Sequence, residues 1–443
     1  MSNPLTARIA EQHASTARAL SAHLPGAARR SAAMEALAVA GLPGSRDENW
    51  KYTNLRPLER ARFTPAVLTP PADGADAALA AALPERLEGF ARYVFIDGVF
   101  APLLSDAPPP GPARFKTLGS RLETRDTPPM ALVPRHELRV DQRFALLNEA
   151  FATDGAVIEV GGGHEAARLE LVFVASAEGQ LGASYPRIEL HVEPLGRLAL
   201  VERHVSAGAG ASFVTSAVSA EIGRGAALDH YRLQELSSRA VLFDTLTATL
   251  AQDAGYRLHA LGSGAAAARS TLSVRLAGER SSLALTAATL GDRHQVQDTY
   301  ALVEHLAAHA RTDETFRGIS AGRARVAFNG KIVVAREAHG TDSRQSLRGL
   351  LAGPEAEIDV RPQLEIYTDD VRCSHGATAG KLDDNMLFYL LARGLDRDSA
   401  QRALKWAFLE DVIARIDLAP LRRQIEQRFA GAMQDGAALR ELI

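Results

Sequence analysis

Cysteine is almost missing from this chain of 443 residues: there is one, Cys373. A lone thiol forms no internal disulfide, and without a CxxC or further cysteines the chain cannot close a thiolate metal cage by itself, so a reducing compartment is expected. An excess of charge of one sign is missing too. Lys and Arg number 50 against 53 Asp and Glu, a net charge of −3, and no long basic run supports a nucleic-acid partner. No stretch approaches the roughly 20 apolar residues that cross a bilayer. The opening MSNPLTARIAEQH lacks the basic segment and apolar run of a signal peptide, so the expected location is the cytoplasm, with no membrane partner. Trp and Tyr are scarce, two and eight, and no row of rings for stacking sugars is visible. There is no G-x-S-x-G and no P-loop. VGGGHEA at 160–166 has the glycines but neither the lysine nor the strand–loop–helix frame of a phosphate loop. No nucleophile–base pair with identifiable partners is visible.

What is present is a normal folded composition, 46% hydrophobic, and a length that calls for two or three structural regions. The first 40 residues have helical stripes, Leu5, Ile9 and Leu20, then Met34 and Leu37, broken by Gly41, Pro43 and Gly44. Trp50 and Tyr52 are spaced as one face of an extended segment and read as anchors that pack this arm onto something. RYVFIDGVF is a short strand. Proline then accumulates in SDAPPPGPARF and RDTPPMALVPRH, so 105–135 reads as loop or linker. In DQRFALLNEAFATDG, Asp141 is a plausible cap, Phe144, Leu147 and Phe151 share a helical face, and Gly155 ends the segment. Residues 1–150 are thus expected to form an N-terminal helical region with a proline-rich linker.

From about 156 to 378 short alternating stretches follow one another, among them RLELVFVAS, RLALVERHVS, VLFDTLTATL and AEIDVRPQLEIY. The period of two with Val, Leu, Ile and Thr means strands, too many for one open sheet. Glycines recur ahead of similar patterns at Gly196, Gly225, Gly255, Gly322 and Gly353, several of them about 30 residues apart, the length of one coil in a repeating β-structure. The expectation is a mainly β fold, a right-handed parallel β-helix over 151–382, whose coils bury their inward side chains by stacking. A β-sandwich would alternate likewise but would space its glycines less evenly. Residues 383–443 return to helix. Asp383 or Asp384 caps NMLFYLLAR, Gly394 closes it, and a second helix from Asp396 or Asp398 carries Leu404, Phe408, Val412 and Ile416. Pro420 opens a third, with Leu421, Ile425 and Phe429. These stripes are covered either by one another or by a partner chain.

Cys373 and His375 stand two apart in DDVRCSHGATAG, on one face if the segment is a strand. Thiolate and imidazole suit iron, iron–sulfur clusters and zinc, but two ligands do not close a site. Either another chain completes it, or a small buried cysteine and an incidental histidine share a strand end; spacing alone favours the second. Asp369 and Asp370 read as solvated turn acids. Glu304, His305 and His309 have metal-ligand spacing only on a helix, and their segment is ambiguous between helix and strand. His339 is isolated near a turn.

The block from Ala327 to Val412 resembles the SufB/SufD family of the SUF iron–sulfur assembly system. The residues that carry the likeness are Phe328-x-Gly330, Asp342 with Gln345, Pro362 with Leu364-Glu365-Ile366, and Asp369-Asp370-Val371. It continues through Cys373-Ser374-His375-Gly376-Ala377-Thr378, Leu387-Phe388-Tyr389-Leu390 and Arg393-Gly394; RDENWKYTNL and LLNEAFATDG look like earlier blocks of the same family. The absence of further cysteines makes the chain similar to the SufD branch. The resemblance implies a right-handed parallel β-helix flanked by helices, pairing with a SufB-like paralogue near the C-terminal end of the core, and a C-terminal helical subdomain that docks a SufC-like ABC-type ATPase. It implies a non-catalytic scaffold with no permanent cofactor. His375, with Cys373 as its neighbour, would help hold transient iron or a nascent cluster at the interface with SufB, for delivery to apoprotein acceptors. Phe388, Tyr389, Leu404, Trp406 and Phe408 would belong to the ATPase-facing region, and in isolation the same edge would allow a homodimer. The rival readings are a β-helix carbohydrate-active enzyme, which needs carboxylates clustered along a groove, and a purely structural homo-oligomeric β-solenoid.

Overall fold

The computed structural model describes residues 4–433, apart from 24–25, 45–46, 54, 66–76, 109–110, 125–140, 164 and 177–180. Its centre is a β-solenoid of two parallel sheets between which the chain alternates. One sheet stacks Gly155–Val160, Arg187–Val192, Ala217–Ile222, Val241–Leu250, Ala267–Leu276, Val296–His305, Arg325–Val334 and Glu357–Ile366. The other stacks Ala91–Ile96, Ala167–Ala175, Arg197–Ser206, Ala227–Glu235, Gly255–Ser263, Ser282–Gly291, Arg311–Ser320, Thr341–Leu351 and Val371–Gly380. The alternation in the sequence is the inside–outside alternation of these strands. Leu198 pairs with Leu228, Leu228 with Tyr256 and Tyr256 with Leu283, so that like side chains form columns through the interior. All four are at most 2% exposed. No coil could bury such a column alone, which is why the sheets grow by stacking.

Corners repeat as well. Gly225, Asp253, Arg280, His309 and Gly340 all have left-handed backbone, and each donates its N–H to a carbonyl of the following coil. Only two of the five are glycine, although left-handed backbone favours it. The glycine series therefore marks the coils unevenly. The interior is not wholly apolar. Glu202, fully buried, accepts hydrogen bonds from His204 at 2.7 Å, from His230 at 3.0 Å and from Arg232, whose guanidinium also donates to Asp244 at 2.8 Å.

The two ends differ. At the first, Ala113–Thr117 pairs antiparallel with Gly155–Val160, and Tyr93, Phe95, Phe100, Phe115 and Phe173 pack ring on ring over the interior. At the other, Glu357–Ile366 and Val371–Gly380 are the last strands of both sheets, each paired on one side only.

The N-terminal helices Pro4–His23 and Ala27–Ala40 lie with Arg143–Phe151 on the outer face of the first sheet, where Leu20, Leu37, Phe144 and Phe151 join Phe213, Val241 and Phe243. Trp50 is the anchor expected of it. It stacks on Phe144 at 5.2 Å, takes the Arg269 guanidinium over its ring at 4.2 Å, and donates Nε1–H to Asp141 at 2.6 Å. Its segment is not extended, however. Glu48–Trp50 is a 3-10 turn, and Tyr52 stays half-buried under Lys51. Two further expectations are corrected. Within the presumed linker, Ala113–Thr117 is a strand and Leu118–Thr124 a helix, because the prolines bracket this stretch rather than interrupt it; 125–135 lies outside the described residues. Asp141 precedes the cap position, which Gln142 occupies, yet its carboxylate still accepts the Arg143 N–H at 3.0 Å.

Of the C-terminal helices Asp384–Ala392, Arg397–Ile413 and Ala419–Ala432, the first two are capped by Asp383 and Asp396, while the third opens on Pro420 with no side-chain cap. The apolar stripes of the second and third, Leu409, Val412, Leu421, Ile425 and Phe429, pack on Val201, Tyr231, Leu261 and Ile319 of the second sheet's outer face, joined by Ile416, which lies in the connection after the second helix rather than on it. The solenoid itself is their main cover. No described helix is long and apolar enough to cross a membrane.

Candidate functional site at the open end

Val371–Gly380 is the final strand of the second sheet, and its register settles where its side chains point. Cys373 sits over Ser343, His375 over Gln345 and Ala377 over Leu347, all on the face that in the coil beneath is the interior. Cys373 and His375 therefore do share a face. Cys373 is half-buried and packs against the last part of the core, whereas His375 is exposed. With no coil above it, an inward-type position has become a surface. Burial pushes the Cys373 thiol up and the Asp342 carboxylate adds to this, while the Ser343 backbone N–H opposes it. At neutral pH it is a thiol, not a thiolate.

Among the described residues no three His, Cys, Asp or Glu side chains converge so as to hold a metal ion. Glu304 and His305 end a strand and His309 lies in the turn after it, so the helical spacing that would have made them ligands is absent. His305 is fully buried, 2.8 Å from the Thr312 hydroxyl, and burial pushes it down to about 4. His309 and His339 meet edge to face on exposed corners. Asp369 and Asp370 are exposed at the last corner, where the Asp370 carbonyl accepts from Gly340 N–H at 2.7 Å.

Beside this end the helix Asp384–Ala392 buries only Leu387. Phe388 is 72% and Tyr389 56% exposed, with Met386 and Tyr367 also exposed. Leu404, Trp406 and Phe408 are half-buried, and Trp406 and Phe408 pack against the chain's own cluster beneath the second helix. Of the five, Phe388 and Tyr389 offer a free apolar surface. The sequence did not single out Met386, Tyr367 or Glu314, and it offered Gln345 only as part of the family likeness, not as a buried partner of Glu314. Met386 and Tyr367 adjoin the apolar residues Leu387 and Ile366, and their exposure shows only in the fold; Gln345 and Glu314 are polar residues in strands, and only register reveals that they lie under His375.

Fold and site define a β-solenoid protein with helical flanks whose chemistry-bearing side chains stand on the uncovered last coil. The family model described as SUF system FeS cluster assembly, SufBD core domain, matches residues 173–408. The chain is 30% identical over 407 residues to the iron-sulfur cluster assembly protein SufD of Escherichia coli, covering 91% of this chain and 92% of that one. It is 28% identical over 410 residues to an iron-sulfur cluster assembly SufBD family protein of Synechocystis, covering 90% and 89%. The chain belongs to the SufBD family.

Proposed function

We propose that this chain is a non-catalytic scaffold subunit of a SufB–SufC–SufD type complex in the cytoplasm, in which iron–sulfur clusters are built and passed to apoproteins. The open end meets a SufB-like paralogue, and His375 supplies an imidazole nitrogen to iron or the nascent cluster held at that seam. The cluster is cargo, not a resident cofactor. This side supplies a single imidazole nitrogen, and the remaining ligands come from the partner. Cys373 can join only as a thiolate, its proton released to solvent as the metal takes the sulfur lone pair. The helix with Phe388 and Tyr389 faces a SufC-like ABC-type ATPase. The observation that carries this reading is the exposure of His375 on an interior-type face that the chain leaves uncovered. Acids along the solenoid that a glycan-cleaving reading would recruit include Asp253 and Asp229, which are paired with Arg280 and Arg257.

The test is co-expression with the paralogue and the ATPase. His375→Ala should copurify with both partners in normal proportion while bound iron and cluster absorbance fall severalfold or more. Normal iron in that variant would overturn the assignment.

A further inference from the structure

The column of inward side chains that ends at His375 is polar over its last three positions. It runs Leu258, Leu285, Glu314, Gln345, His375, each paired with the next across successive strands. Glu314 is fully buried and Gln345 is 4% exposed. Gln345 Nε2 donates to Glu314 Oε2 at 2.6 Å, and both Glu314 Oε1 and Gln345 Oε1 are buried without a hydrogen-bond partner in the structure. The opposite sheet makes room for the pair with Gly330, where a Cβ would lie 2.8 Å from Gln345 Nε2 and from Glu314 Oε1. Burial pushes the Glu314 carboxyl up to about 7, opposed by the Gln345 bond. Leucine fills the same column two coils earlier, so packing alone does not explain a carboxyl and an amide here, both costly to bury with unused oxygens.

We propose that Gln345, anchored by Glu314, is the positioning residue for His375. The amide nitrogen is committed to Glu314, which fixes the orientation of the amide and leaves Oε1 an unused acceptor on the residue one register step beneath His375. An imidazole that donates one ring N–H to that oxygen keeps a single tautomer and turns its other nitrogen outward with the lone pair free. Metal-binding histidines are held in this way by an oxygen acceptor on their second nitrogen, and loss of that acceptor costs roughly 10–100-fold in metal affinity. The proposal rests on the reading of His375 as a ligand.

The experiment separates the two. Nitrogen-15 spectra of histidine-labelled protein report the tautomer of His375 without metal, and Co(II) titration of the complex with the paralogue reports affinity. Wild type should show one tautomer; Gln345→Leu should show a mixture and bind Co(II) about 10-fold more weakly or worse, with unchanged circular dichroism. Glu314→Leu, which removes the anchor instead, should give the same two changes and serves if Gln345→Leu does not fold. If His375→Ala leaves Co(II) binding intact, the ligand reading fails. If His375→Ala abolishes binding while Gln345→Leu and Glu314→Leu keep one tautomer and wild-type affinity, the positioning role alone is overturned.

Discussion

His305 should make this protein labile to mild acid, and the effect can be worked out in advance. The ring is fully buried, and among the described residues its hydrogen-bond neighbours are the hydroxyls of Thr312 and Thr341, with no carboxylate compensating its charge. Its pKa is pushed down to about 4, against 6.5 for an exposed imidazole. Between those values the unfolded chain binds a proton that the folded chain refuses, so stability falls as pH drops through about 6.5 and stops falling near 4. At about 1.4 kcal/mol per unit, the full effect is on the order of 3 kcal/mol, of which about 2 has gone by pH 5. Urea unfolding at pH 7 and at pH 5 measures it. His305→Gln, which cannot protonate, starts from a lower stability at pH 7 but should lose about 2 kcal/mol less than wild type on going to pH 5. Equal losses would refute the reasoning and mean that the ring finds a way to carry charge inside the coil.

Two further outcomes follow from the packing. Glu202 is held well below the usual carboxylate range, against its burial, by Arg232 and by the bonds from His204 and His230; Glu202→Ala leaves these donors stranded and should cost about 3–5 kcal/mol in urea unfolding. Trp50→Ala removes the ring between Phe144 and Arg269 and should cost about 3–5 kcal/mol, seen as faster proteolysis of the N-terminal helices while the strands of the core stay protected.

Much of the fold was legible because a solenoid repeats its pattern. Alternation along VLFDTLTATL and its neighbours comes directly from burying one face of each strand, and Asp383 and Asp396 announce helix starts by accepting backbone N–H groups. What could not be read was relational. Nothing local tells a proline-flanked ARFKT that it will pair with Gly155–Val160, nor tells Leu409 and Val412 that the solenoid's flank rather than a partner will cover them. The ambiguity of DTYALVEH ended only when its neighbours Ala267–Leu276 and Arg325–Val334 supplied two ladders. The same holds at the candidate site. The Cys-Ser-His motif was visible, but its meaning depends on which coil is last, and the polar support under His375 is spread over residues 30 and 61 positions earlier.

The central claim is that the last coil is an interface rather than a finished surface. Hydrogen–deuterium exchange along Val371–Gly380 and Glu357–Ile366 tests it most directly, comparing the chain as a monomer with the chain bound to its paralogue. The account predicts that outward amides of both strands exchange quickly in the monomer and become strongly protected in the complex, around His375 above all. Unchanged exchange there, with protection appearing elsewhere on the chain, would contradict it.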